Sequence, residues 1–267
     1  MAAKFEVMLL PSANRRSRRA MFAFCNSFSG SRCVRTESYT GQSDWLVVFG
    51  WGSGQNQQAM KKHMESGRNV LVMDMGYLKR GRQTVRFSVN ALHPTDQLQF
   101  APDGSRFERT GVELSNVHNQ DGHSLVLQLT RKSRNAFGYS GNAWERNTVS
   151  RFLADRPYGR IVLRPKRGKA ENVDGTFPSV LEFIADDLYG CSRVAVHHSN
   201  VAIDAAILGV PCYAEHGVGA GVYTDPLGTA LSEAQRRKFL EQVAWFNWEL
   251  DELKQMVQFA EHVAGQL

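Results

Sequence analysis

No apolar run in this chain approaches the roughly 18 residues that a membrane-crossing helix requires, and Met1 to Phe28 lack the basic-then-apolar order of a secretory signal. The sequence is therefore expected to belong to a cytoplasmic protein with no stable membrane insertion. Cysteine is scarce: Cys25, Cys33, Cys191 and Cys212 form no C-x-x-C pair and have no metal-ligand spacing with histidine, so reduced thiols are expected. There is no His-x-x-x-His, no carboxylate cluster and no Gly-Lys-Ser/Thr, which removes the usual sequence marks of a metal centre or a P-loop. Neither metal nor cofactor is expected. Internal repeats and low-complexity segments are also missing.

What is present is an ordinary globular balance, with 42% hydrophobic and 22% charged residues over 267 positions. That length accommodates two modest domains. The net charge of +6 attracts polyanions. It is concentrated in Arg15, Arg16, Arg18 and Arg19, in Lys79, Arg80 and Arg82, in Arg131, Lys132 and Arg134, and in Arg164 to Lys169.

Short apolar runs at Phe5 to Leu10, Trp45 to Phe49 and Asn69 to Met73 alternate with helical stretches, the first after Pro11 with Ser12 as its cap, the second over Gln55 to Ser66. Buried parallel strands read this way, so a Rossmann-like first lobe is predicted. Gln83 to Asn90 alternates like a half-exposed edge strand. A second cycle places strands at Ser124 to Leu129, Arg160 to Leu163, Arg193 to Val196 and Pro211 to Ala214. Its helices are expected at Ala143 to Ala154, Ser179 to Leu188 and Val201 to Leu208. Ser232 and Gln235 form a capping box, and apolar residues recur from Phe239 to Ala260 as one or two closing helices. Trp245 and Trp248, three apart, fit packing on that helix.

The sharpest constellation is His197-His198-Ser199-Asn200 between a strand and a helix that carries Asp204 and ends at Gly209-Val210-Pro211. Ligands of open α/β sheets bind outside the carboxyl ends of strands, where a helix start offers N–H groups to phosphate. Ser199 and Asn200 could equally cap that helix. The segment from His197 to Tyr213 resembles the donor site of GT-B glycosyltransferases, in which a histidine- or serine-rich turn precedes a helix ending in Gly-x-Pro. The likeness runs from the Asp74 to Tyr77 turn to Trp248 and is closest in character to bacteriophage DNA-modifying and capsule-type enzymes. It implies an α/β fold of two Rossmann-like lobes, an acceptor side over 1–120, a donor lobe over 121–230, and C-terminal helices over 231–267 that cross back to the first lobe.

The resemblance also implies a nucleotide-diphosphate sugar as substrate, a UDP-sugar above all. Arg164-Pro165-Lys166 stands where related enzymes carry a basic strand end, and Gln128, Ser133 and the loop through Gly141 fall near the donor phosphates. A basic run can also be only a solvated face. Asp74, at a strand end, is the candidate general base; His93, His118 and His123 are alternatives. No Asp-x-Asp points to the manganese-binding transferases. Gly50-x-Gly52-x-Gly54 lacks the spacing of a dinucleotide site, yet would let an acceptor approach the backbone. With Gly52, the cations Arg15, Arg16, Arg18, Arg19, Lys79 and Arg80 suggest a polyanionic acceptor. The expected function is transfer of a hexose or pentose to hydroxymethylated pyrimidine in double-stranded DNA. A capsule or lipid-linked glycan is the alternative acceptor, and a non-catalytic binding module a second alternative.

Overall fold

Runs rich in valine and aromatic residues become strands, and polar stretches between them become helices, in a computed structural model that describes residues 4–11, 13–28, 33–50, 54–81, 83–166 and 171–267. In chain order the elements begin β1 (Phe5–Met8), α1 (Arg15–Ser27), β2 (Cys33–Thr36), β3 (Trp45–Phe49), α2 (Gly54–Glu65), β4 (Asn69–Met75), β5 (Thr84–Val89), a 3-10 turn (Thr95–Phe100) and α3 (Ser105–Thr110). There follow β6 (His123–Leu127), α4 (Arg131–Phe137), α5 (Ala143–Asp155), β7 (Ile161–Arg164), β8 (Phe177–Pro178), α6 (Ile184–Tyr189), β9 (Cys191–Val196), α7 (Val201–Leu208) and β10 (Cys212–Ala214). The chain closes with α8 (Glu233–Ala244), β11 (Asn247–Glu249) and α9 (Leu253–Ala264). Two compact units result, Met1–Thr110 with Glu241–Leu267, and Gly111–Leu240.

In the first unit the strand order is β11-β5-β4-β3-β1-β2, with β2, β1, β3 and β4 parallel, β5 antiparallel to β4, and β11 antiparallel to β5. Val7, Leu46, Val48, Val70 and Val72 are sealed from water at its centre. Glu6 is buried among them, and its carboxylate accepts from the Thr36 and Thr40 hydroxyls and from the Thr40 and Gly41 N–H groups. Four donors offset the cost of burying that charge. Asn14 caps α1, its Oδ1 accepting from the N–H groups of Arg16 and Ser17 at 2.9 and 3.0 Å. The expected cap, Ser12, lies outside the described residues.

β5 is not the half-exposed edge its alternation predicts. All six residues are buried, because β11 pairs along its far side. The inward polar groups are satisfied locally: Arg86 binds Asp74 and the Leu92 carbonyl, and Ser88 donates to the Ala91 carbonyl at 2.6 Å. The expected run of helix from Phe239 to Ala260 is likewise broken by β11. Tertiary contacts override the helical period there. The Arg106 guanidinium lies 3.4 Å from the centre of the Trp248 ring, donates to the carbonyls of Ala244 and Asn247, and pairs with Glu252 at 2.8 Å. Asn247 Oδ1 accepts from the N–H groups of Tyr77 and Leu78 at 2.6 and 3.0 Å. A Cβ on Gly76 would come within 2.8 Å of that oxygen, so only glycine fits the approach.

In the second unit every strand pairing is parallel and the order is β10-β9-β6-β7-β8. Counted in chain order from β6 and read from the β8 edge, this is 3-2-1-4-5, the doubly wound arrangement whose order reverses between its first and fourth strands. The reversal falls between β6 and β9. One face packs Val126, Leu129, Trp144, Val149, Phe152, Leu163 and Ala195. Residues 111–120 join this unit, Ser115 and Val117 donating to the carbonyls of Ile207 and Leu208 at the end of α7.

Two expectations change in this unit. The glycine-containing loop after β6 is helical at its start: Thr130 caps α4 by accepting from the Ser133 N–H, and Gly138, at φ 73°, ends it. The helix expected from Ser179 begins only at Ile184, because β8 pairs with β7 and the Ser179 N–H donates to the Leu163 carbonyl at 2.9 Å. The capping box is reciprocal, with Ser232 N–H to Gln235 Oε1 at 2.9 Å and Gln235 N–H to Ser232 Oγ at 3.3 Å. No helix among the described residues is long and apolar enough to cross a membrane.

Candidate functional site

The carboxyl ends of β6 and β9 flank the point where strand order reverses, the place where open α/β sheets hold ligands. From the β6 side come Thr130 and Ser133, set by the cap of α4; from the β9 side come His197 and His198, set by the turn into α7. A line of polar side chains joins them. His197 Nδ1 lies 3.0 Å from His198 Nδ1, His198 Nε2 lies 3.3 Å from Ser133 Oγ, and Ser133 Oγ lies 3.0 Å from Thr130 Oγ1. Asn200 occupies the cap position of α7 without a side-chain bond to it, whereas Ser199 Oγ accepts from the Val201 N–H at 3.3 Å. Asp204 is half-buried in the first turn of that helix.

His197 is buried at 1% exposure among the rings of Phe137, Tyr139 and Trp144. Burial, with His198 and His216 adding to it and Glu215 opposing, pulls its pKa down to about 4. The ring is thus neutral at physiological pH. The turn beginning at His197 is the one expected to grip pyrophosphate; within it the His197 ring is buried, whereas His198 and, across from it, Ser133 are half-exposed.

Sequence reasoning missed Glu215 and His216, which follow β10. The adjacent strand carries them to the same sheet end, the His216 N–H donating to the His197 carbonyl at 2.6 Å. Glu215 accepts from the Tyr139 hydroxyl at 2.6 Å and from Trp144 Nε1 at 2.5 Å. Burial raises its pKa, but these two bonds and the nearby His197 and His216 outweigh it and leave the carboxyl below its ordinary value. An acidic and an imidazole residue just past a predicted strand were the available signal.

The other expected donor residues are placed differently. The Arg164 guanidinium bonds to Asp187, the Ser179 hydroxyl and the carbonyls of Leu181 and Glu182, which fastens 179–187 to β7. Gln128 is also committed, exchanging hydrogen bonds with the backbone of Glu171 at 3.0 and 3.2 Å. Lys166 is exposed just beyond β7, and Arg167 and Lys169 lie outside the described residues.

In the first unit Asp74 lies within β4, its Oδ2 3.2 Å from Arg86 and its Oδ1 accepting from the Met75 N–H. Arg15 and Arg19 are exposed on α1, Arg16 rests against the Met75 sulfur, and Arg18 donates to the carbonyls of Pro11 and Ala13, bracing the helix entry. Lys79 and Arg80 are exposed after the Gly76 turn. Gly52 and Arg82 lie outside the described residues. Of the alternative bases, His93 contacts the Tyr77 hydroxyl, His118 is exposed, and His123 starts β6, at the sheet end opposite the reversal point.

No protein-family model and no curated protein matches this chain. Solved structures do. A β-Kdo 2,4-transferase, KpsC of Thermosulfurimonas dismutans, aligns with a TM-score of 0.54 at 12% identity over 99% of both chains. The KpsC β-Kdo 2,7-transferase of the same organism aligns with a TM-score of 0.52 at 12% identity, over 97% of this chain and 99% of that one. At such identity the likeness is one of fold, and this chain shares the α/β architecture of those two transferases along almost its whole length.

Proposed function

We propose that this protein is a glycosyltransferase that holds a nucleotide-activated sugar at the carboxyl ends of β6 and β9 and passes the sugar to a hydroxyl of a capsule or lipid-linked glycan. The observation that carries the reading is the Ser133–His198–His197 line at the reversal point of a 3-2-1-4-5 sheet, in a chain whose fold is shared with two β-Kdo transferases. Ser133 supplies a hydroxyl for the donor's phosphate, and His198, its ring fixed by neutral His197, holds that hydroxyl in place. Lys166 adds positive charge at the neighbouring strand end. Asp74 is the proposed base. Its lone pairs not engaged by Arg86 and Met75 are those available to an acceptor hydroxyl.

Four arginines in the first two turns of α1, with no acidic residue in the first turn, oppose the helix dipole. Arg15 and Arg19 are thereby suited to an anionic acceptor. Hydroxymethylated DNA, the acceptor expected first from the sequence, has no support beyond these cations, and the fold comparison favours the glycan. A thermal-shift panel of UDP-hexoses, UDP-pentoses and nucleotide-activated Kdo tests the donor half: at saturating ligand one class should raise the melting temperature by several degrees. His198→Ala should abolish that rise. Mass gain on glycan acceptors but not on hydroxymethylated DNA tests the acceptor half; the opposite result would restore the DNA reading.

A further inference from the structure

We propose that His197, Glu215 and His216 form a binding site for a divalent transition-metal ion of the zinc class. Each residue offers one ligand atom, and the three atoms lie within 4.8 Å of one another. Two imidazoles and a carboxylate suit Zn²⁺ and its neighbours, whereas Mg²⁺ and Ca²⁺ take mainly oxygen. Ligand bonds of about 2.0–2.2 Å place donor atoms roughly 3.3 Å apart around a tetrahedral ion. Closing the cluster therefore takes shifts of about 1 Å, within reach of the exposed His216 ring by χ rotation.

A second observation points to a ligand. The buried His197 leaves its Nε2 with no hydrogen-bond partner. The contact between Nδ1 atoms is best satisfied by His197 Nδ1–H donating to His198, whose Nε2–H then donates to Ser133 Oγ. In that tautomer His197 Nε2 carries a lone pair that no protein donor meets. Burying such an atom costs about 1–3 kcal/mol, and a metal ion is a partner it fits.

The surroundings also resemble a supported metal site. Tyr139 O–H and Trp144 N–H orient the Glu215 carboxylate, and His198 orients His197, as outer groups do around ligating side chains. Glu215 Oε1 keeps a lone pair beyond its bond from Tyr139, whereas Oε2 also accepts from the Tyr213 hydroxyl at 3.4 Å. The Phe137 ring stacks on His216 with 5.1 Å between centres and meets His197 edge-on at 4.5 Å, walling the cluster on one side. The exposure of His216 leaves room for water or a phosphate oxygen as a further ligand. The expectation of no metal rested on spacing along the chain, which does not register ligands joined only by the pairing of β9 with β10.

This inference rests on the ligand set and goes beyond the transferase reading. Full-length protein stripped with chelator is titrated with ZnCl₂ by calorimetry, and with CoCl₂ followed by visible absorbance. One ion per chain at micromolar affinity or tighter is expected, with a rise in melting temperature. His216→Ala, at an exposed position, should weaken binding by about tenfold or more while leaving the metal-free melting temperature unchanged. Glu215→Gln should also weaken it. No uptake at millimolar zinc, or equal affinity in wild type and His216→Ala, would overturn the site. The nucleotide-sugar melting shift is read on the same metal-free samples. A shift there without zinc uptake removes the metal and keeps the transferase, and zinc uptake without a nucleotide response does the reverse.

Discussion

At the scale of single residues, Arg164, one of the cations at a strand end, is held in a structural ion pair. Arg164 and Asp187 form a pair in which the carboxylate side is 3% exposed, so Arg164→Ala strands a buried charge. A loss of about 3 kcal/mol or more is expected in urea unfolding, with nucleotide affinity of the folded protein unchanged within twofold. Histidine sets a pH response. His63 is fully buried beside the Tyr39 hydroxyl, and burial above all pushes its pKa below the ordinary value. Below about pH 6.5 the unfolded chain takes up a proton there that the folded chain refuses, so stability falls as pH drops. His197, held near 4, acts in the same direction over the same range. The urea midpoint should therefore fall between pH 7.5 and 5, and His63→Gln should make that fall shallower without abolishing it.

Among the elements, the most exacting contact is a short one. Asn247 opens β11 and serves two buried N–H groups of the Gly76 turn, so Asn247→Ala leaves both without an acceptor. A cost of about 2–4 kcal/mol is expected, read as a lower urea midpoint at unchanged slope. Neither Asn247 nor β11 was visible in the sequence, where Phe239, Val243, Phe246, Leu250 and Leu253 read as one helical stripe. A three-residue strand has too few positions to impose its own period. By contrast β3 and α7 were readable to the residue, since continuous valine and a Gly-Val-Pro stop depend on nothing distant. The reversal-point turn was legible for the same local reason, but its partners Glu215 and His216 were not. They become neighbours of His197 only through the register of β10 on β9. The Arg164–Asp187 pair was not legible either, because a guanidinium at a strand end looks identical in sequence whatever carboxylate or ligand it meets.

For the whole molecule, the first unit is built from two stretches of chain separated by the entire second unit. The second unit is continuous and owns a complete parallel sheet, so residues 111–240 produced alone should unfold in one cooperative urea transition by circular dichroism. Residues 1–110 alone should not, because α9 packs on α1 and β5, and β11 closes the sheet edge. During synthesis the same discontinuity imposes a schedule. The later-made sheet can settle while the ribosome still holds the tail, and until that tail emerges β5 presents a bare row of amide and carbonyl groups to any passing strand. A translation stall just after residue 267 has been added should thus yield nascent chains with a protease-resistant centre and a sticky front.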